Sequence, residues 1–158
     1  MNFHGKALVI NLSSTTQSDR ELPASWIDLY PGHKGLGHRL LLDYLRPGTD
    51  TPPAEQPIVF STSIFAGTVV SCSAKLSITA VSPLDGHPVT EQVGGQLAAE
   101  LKYVGYDALV LMGVAEESKV LTIDAEGPRL QPAGYLTGML VGKTEEVLEQ
   151  MYQGSRPK

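Results

Sequence analysis

Residues 82–111 read SPLDGHPVTEQVGGQLAAELKYVGYDALVL, and the fold reading turns on this run. Gly94 and Gly95 stand directly before a helical pattern made by Leu97, Ala98, Leu101 and Val104; Gly105 closes that helix and Ala108 opens an apolar strand. A helix start exposes about four unpaired backbone N–H groups and roughly half a positive charge. Glycines, having no Cβ, let an anion come close to such a backbone. The spacing therefore predicts a helix-to-strand unit whose entrance suits a phosphate.

Outward from that run, residues 4–12 (HGKALVINL) alternate as a strand does, and SSTTQSD reads as a polar turn. Residues 22–30 read as a short helix with Pro23 or Ser25 at its start, halted by Pro31 and Gly32. Trp26 is expected to pack one face of it. Residues 35–45 form a stronger helix, with Leu36, Leu40, Leu41, Tyr44 and Leu45 in one apolar stripe. The four prolines and one glycine of residues 46–57 predict a loop without regular structure. Strands are expected over 58–64 and 74–81, separated by a turn at Gly67, and again over 108–113 and 119–125, with a hairpin turn at Glu126–Gly127. A last helix runs over 144–152 with Thr144 as its N-cap and Glu145 and Glu146 favouring its positive end. Strands grouped with few helices between them point to α+β, with antiparallel or mixed sheets and three to four helices, rather than a doubly wound sheet.

The chain has 158 residues, 42% of them hydrophobic and 18% charged, which fits one domain over residues 1–153 and a disordered tail over 154–158. Its net charge of −5 argues against nucleic acid, because phosphate backbones need a basic face. No apolar run is long enough for a bilayer, and residues 1–12 do not read as a signal peptide. One cysteine, Cys72, fits a reducing, cytoplasmic setting and reads as a small strand-end residue. His33 and His38 are five apart, off the i, i+4 spacing of a helical metal site, and His4 and His87 are lone; all four read as surface or turn residues. Asp43 and Asp107 have no partner carboxylate at useful spacing, so no acid–base dyad and no catalytic residue is assigned.

Four blocks carry a resemblance: GKALVINLSS, YPGHKGLGHRLLLDYLRPGTD, FSTSIFAGTVVSCSAKLSITAVSPLDG and GGQLAAELKYVGYDALVLMGVAEE, in that order and spanning residues 5–117. A weaker continuation, IDAEGPRLQPAGYLTGMLVGKTEEVLEQ, follows. In this the chain resembles the N-terminal domain of the tungsten-dependent aldehyde:ferredoxin oxidoreductases. The resemblance implies a platform on which a tungstopterin or molybdopterin cofactor rests, in enzymes that oxidise aldehydes to carboxylic acids and pass electrons to ferredoxin. It also implies that the four cysteines of the family's iron–sulfur cluster and its catalytic groups lie beyond this domain. With one cysteine the chain does not hold that cluster alone. The expectation is a platform domain or subunit, inactive alone, that ends before the family's second glycine-rich phosphate-contacting segment.

The same resemblance places the site. Lys34 stands where the family has an arginine in a GGRGL motif, Gly35 follows it, and His33 replaces the second glycine. Lys75 stands where the family has an arginine contacting cofactor phosphate, and Gln92 where it has an asparagine that helps hold magnesium. Both lysines keep the charge but lose the bidentate fork of arginine, and glutamine lengthens the arm toward a cation demanding about geometry. Gly94 and Gly95 keep the family pattern. The expected cofactor-binding set is Lys34, Gly35, Lys75, Gln92, Gly94 and Gly95, with no metal-ligating residue assigned. The competing reading is a degenerate, non-catalytic assembly or binding module; a third is a platform for another nucleotide-like anion. Half a platform leaves sheet edge and apolar surface open, so a second copy or a large subunit carrying the missing domains is expected to cover it, with ferredoxin reached only through the complete enzyme.

Overall fold

The computed structural model describes residues 3–45 and 51–152. Six strands form one mixed sheet: β1 (Lys6–Asn11), β2 (Thr16–Glu21), β3 (Ile58–Thr62), β4 (Lys75–Val81), β5 (Pro88–Gly94) and β6 (Ala108–Met112), in the order β2-β1-β6-β3-β4-β5. Only β1 and β6 run parallel among these pairs; the others are antiparallel. A separate hairpin pairs β7 (Lys119–Asp124) with β8 (Gly127–Pro132). The helices are α1 (Trp26–Leu29), α2 (His33–Tyr44), α3 (Leu97–Tyr103) and α4 (Val141–Met151). This is the α+β architecture the strand grouping predicts.

Alternation along the strands sorts their side chains onto two faces. Ala7, Val59, Ala108 and Val110 meet Leu36, Leu40 and Leu41 of α2 together with Trp26 and Leu22. On the other face Leu8, Ile10, Leu76 and Leu109 meet Ala98 and Leu101 of α3, with Leu121, Ile123 and Leu130 of the hairpin partly buried against them. Each fully buried leucine contributes about 1.5–3 kcal/mol, so three on α2 hold that helix firmly to β3 and β4. The approach is close. A Cβ on Gly37 would stand 2.5 Å from Thr79 Oγ1, and one on Gly32, whose φ is +112°, would stand 2.3 Å from the Thr62 carbonyl oxygen. These two glycines set the distance and angle at which α2 meets the sheet.

Several boundaries differ from the sequence reading, each for a tertiary reason. The polar stretch expected as a turn is strand β2 from Thr16 onward, because residues whose side chains stay in water still pair their backbone with β1. Residues 88–94 form β5, an edge strand exposed on both faces whose lack of apolar alternation hides it. The helix expected over 22–30 shrinks to Trp26–Leu29, with Ser25 at its N-cap position making no side-chain bond. Within the 46–57 loop, one 3₁₀ turn covers Pro53–Glu55, while residues 46–50 lie outside the described part. The strand expected over 58–64 ends at Thr62, and the turn expected at Gly67 is a longer connection to Lys75. The last helix starts at Val141, so Thr144 is not its cap: its hydroxyl donates to the Leu140 carbonyl, and Glu145 and Glu146 lie past the first turn. The tail over 154–158 lies outside the described residues.

One buried ion pair ties the layers together. Lys102 of α3 donates to Asp107, whose carboxylate also accepts from the backbone N–H groups of His4 and Lys6 at 3.0 and 3.2 Å. Asp107 therefore works as a structural anchor joining α3, the start of β6 and the start of β1. Burial lowers the Lys102 pKa while the adjacent carboxylate pulls it back up.

Candidate functional site

The β4–β5 ladder brings the site residues together. Lys75 stands opposite Gly94, and Ser77 opposite Gln92. Directly opposed residues of an antiparallel pair share one face. The Thr79–Thr90 hydroxyl contact of 2.9 Å, two steps along, marks that face as the one carrying α2. From α2, His33 reaches the same place: its Nδ1 lies 3.3 Å from Ser77 Oγ, and its carbonyl accepts a 2.8 Å hydrogen bond from Ser61. The α2 start, the β4 start and the β5 end thus converge at one end of the sheet.

Gly94 is the last residue of β5, not the helix start that the spacing predicts; Gly95 follows with a φ of +135°, and α3 begins at Leu97. With seven residues and no side-chain cap, α3 has a small macrodipole. What sets this corner apart is space. Nothing lies within 4 Å of where a Cβ would stand on either glycine. Lys75, Gly94, Gly67, Cys72, Ala99 and Tyr103 border an open hollow of about 420 Å³.

Lys75, the charged residue that lines the hollow, is positive. Among the described residues neither Lys34 nor Lys75 has a carboxylate partner. Lys34 and Gly35 are exposed in the first turn of α2, which begins two residues earlier than the apolar stripe predicts, so Lys34 lies inside the helix rather than before it. Gln92 is exposed on β5. A ligand with negative charge finds here a cation and bare backbone without a competing internal carboxylate. That combination suits an anionic group such as a phosphate.

The residue the sequence reading set aside is His33. Expected as a surface or turn histidine, it is half-buried at the first position of α2 with a φ of +49°, a conformation few non-glycine residues adopt. Burial first, and then the charge of Lys75, lower its pKa. A signal was present in the motif, where the resemblance implies a glycine at the slot this histidine fills. His38, by contrast, has its Nδ1 2.8 Å from the Lys34 carbonyl one turn back. Cys72 lies exposed in the turn before β4 with a φ of +59°, not at a strand end. Among the described residues no group of three His, Cys, Asp or Glu side chains is placed to hold a metal. No helix among them is long and apolar enough to cross a membrane.

The fold is a six-stranded mixed sheet with an open, glycine-edged corner beside Lys75. The family model for the aldehyde ferredoxin oxidoreductase N-terminal domain matches residues 7–158, and this chain belongs to that family. Relatives include the tungsten-containing aldehyde ferredoxin oxidoreductase of Pyrococcus horikoshii, 29% identical over 148 residues, covering 94% of this chain and 24% of that protein. The enzyme of the same name from Pyrococcus furiosus is 29% identical over 150 residues, covering 92% and 24%. Its counterpart in Thermococcus kodakarensis is 27% identical over 150 residues, with the same coverage of 92% and 24%. The chain therefore spans about a quarter of the length of these relatives. Among solved structures, the active site complex BamBC of benzoyl coenzyme A reductase superposes with a TM-score of 0.89 over 97% of this chain and 23% of that one, at 24% identity. That likeness establishes the fold.

Proposed function

We propose that this chain is the cofactor platform, as a domain or as a subunit, of a tungsten- or molybdenum-pterin aldehyde oxidoreductase that passes electrons to ferredoxin. One observation carries the reading: Lys75 faces Gly94 across the ladder beside open space, in a chain whose family contains tungsten enzymes. Lys75 would hold a cofactor phosphate by charge, and the Gly94 and Gly95 amides by close approach. Lys34, Gly35 and Gln92 would line the neighbouring rim. The cofactor, when bound, supplies the two-electron oxidation of aldehyde to carboxylic acid. This chain's own residues bind and orient it, and the groups that act on substrate belong to the rest of the assembly.

The edge of β5 supports a larger assembly. Val89 and Val93 are 45% and 48% exposed there, and nearby Leu97 is 62% exposed. A long open strand with apolar side chains is a surface that proteins normally cover. A second copy, or a large subunit carrying the missing domains, would cover it in the cytoplasm.

A non-catalytic assembly module is the second reading, favoured by lysine, lysine and glutamine at positions 34, 75 and 92. Metal analysis and oxidised-pterin fluorescence on the protein isolated from its host with its bound partners separate the two. Stoichiometric tungsten or molybdenum with pterin, lost several-fold in Lys75→Ala, is the expected result. A metal-free, pterin-free complex whose isolated chain takes up no pterin would overturn the platform reading.

A further inference from the structure

We infer that His33 is a proton-coupled element of the anion site: an anion bound at Lys75 is accompanied by uptake of a proton on the His33 imidazole. The inference rests on reading the Lys75–Gly94 corner as an anion cradle, and it adds a regulator that the sequence pattern does not assign.

The geometry fixes the ring rather than leaving it loose. Gly32, with a φ of +112°, sits where any side chain would strike the Thr62 carbonyl, and it bridges to Ser63. Ser61 then holds the His33 carbonyl at 2.8 Å, and Ser77 lies 3.3 Å from Nδ1. A non-glycine residue kept at a φ of +49° by contacts on both sides occupies a strained conformation that persists only where its surroundings over-determine it.

The charges around the ring set the direction of the coupling. From β4, Lys75 is the charged neighbour that bears on it. From α2 come Lys34 and His38, both carrying or able to carry positive charge. The nearby residues of β3 and the following loop, Ser61 and Ser63, are uncharged, as are Thr90 and Gln92 on the same face of β5; Glu91 alternates to the opposite face. Among the described residues no carboxylate is thus placed to favour a charged imidazole. Burial, and then the charge of Lys75, hold the His33 pKa below its ordinary value of 6.5. An anion seated on Lys75 cancels that repulsion and adds an attraction, so the histidine pKa rises on binding. By linkage the anion binds more tightly as pH falls through the interval between the free and bound values.

Sulfate is a suitable probe because its charge is constant between pH 5 and 8. Proton NMR of the four histidine ring signals, with His33→Asn to assign one of them, gives each titration midpoint with and without saturating sulfate. The His33 midpoint should rise by about half a unit or more, a threefold coupling, and Lys75→Gln should both raise the free midpoint and abolish the sulfate response. If the Gly94 and Gly95 amide signals shift with sulfate in a Lys75-dependent way while the His33 midpoint stays put, the inference fails and the cradle stands. If those amides do not respond, the cradle reading fails and takes the inference with it.

Discussion

Lys102 and Asp107 form an ion pair in which each side chain is only 1% exposed, five residues apart in sequence, Lys102 on α3 and Asp107 immediately before β6. Removing one partner leaves the other charged and desolvated, which costs about 3–5 kcal/mol. Asp107→Ala also strands the His4 and Lys6 amides that the carboxylate accepts from. Urea unfolding should show Asp107→Ala as the more damaging change and Lys102→Met as the milder, since Met restores apolar volume. Equal stability of Asp107→Ala and the parent chain would remove the anchor from this account.

Gly32 and Gly94 should behave oppositely on substitution. Gly32→Ala combines a φ of +112° with a clash at 2.3 Å against backbone, so a loss of about 3 kcal/mol or more, or no folded protein, is expected. Gly94→Ala meets open space in a strand and should change the unfolding midpoint by no more than about 0.5 kcal/mol. Its effect should appear instead in pterin retention, because the added methyl occupies the place where a phosphate approaches the amide. Thermal melts paired with bound-pterin measurements check both halves.

Lys75→Arg adds a bidentate fork at the same position, whereas Lys75→Ala removes the charge. Retained pterin should therefore follow the order Arg at or above Lys, with Ala lower by about tenfold. Fluorescence of the oxidised pterin, normalised to protein, reads this directly. An alanine variant that keeps full cofactor would move the phosphate contact away from β4.

Asp19 and Tyr106 give the stability a pH signature. Tyr106 donates a 2.8 Å hydrogen bond to Asp19. That bond is the main cause holding the Asp19 carboxyl below its ordinary 3.8, while burial, followed by the bond to Asp19, pushes the Tyr106 phenol up to about 12. The lowered Asp19 contributes stability that is present above pH 3.8 and lost as pH falls through its folded-state value. The raised Tyr106 contributes stability that is complete below pH 10 and lost as pH rises toward 12. Tyr106→Phe should flatten the alkaline limb and shrink the acid one, as measured by urea midpoints across pH 3 to 11.

The outer edge of β5 makes a prediction about association. Lysine on an edge strand blocks further pairing, so Val93→Lys should lower any concentration-dependent sedimentation of the chain and weaken its hold on a large subunit without unfolding it. A variant that associates like the parent would place the partner on another surface.

Much of the sheet was legible because β1, β3, β4 and β6 alternate or run apolar, and burial on two faces requires such patterns. The helix α2 was legible for the same reason, through Leu36, Leu40 and Leu41. Strands β2 and β5 were not, since edge strands surrounded by water carry TQSDRE and PVTEQVG, sequences that read equally well as loop. Their existence depends on backbone hydrogen bonds to the strand just before each in the chain, β1 for β2 and β4 for β5, rather than on any apolar pattern of their own. Thr144 misled as a cap because capping residues also occur inside helices, where the hydroxyl bonds back to the preceding turn.

By itself the order of residues determined the α+β class, the family, the glycine pair and the two lysines, all properties of local pattern and spacing. Only the tertiary structure decided that Lys75 faces Gly94, that His33 lies beside Ser77 within the field of Lys75, and that Lys102 is neutralised by Asp107. Those are pairings across separate elements. They follow from strand register and from the close approach that Gly32 and Gly37 permit, quantities set by how the layers pack rather than by any single segment.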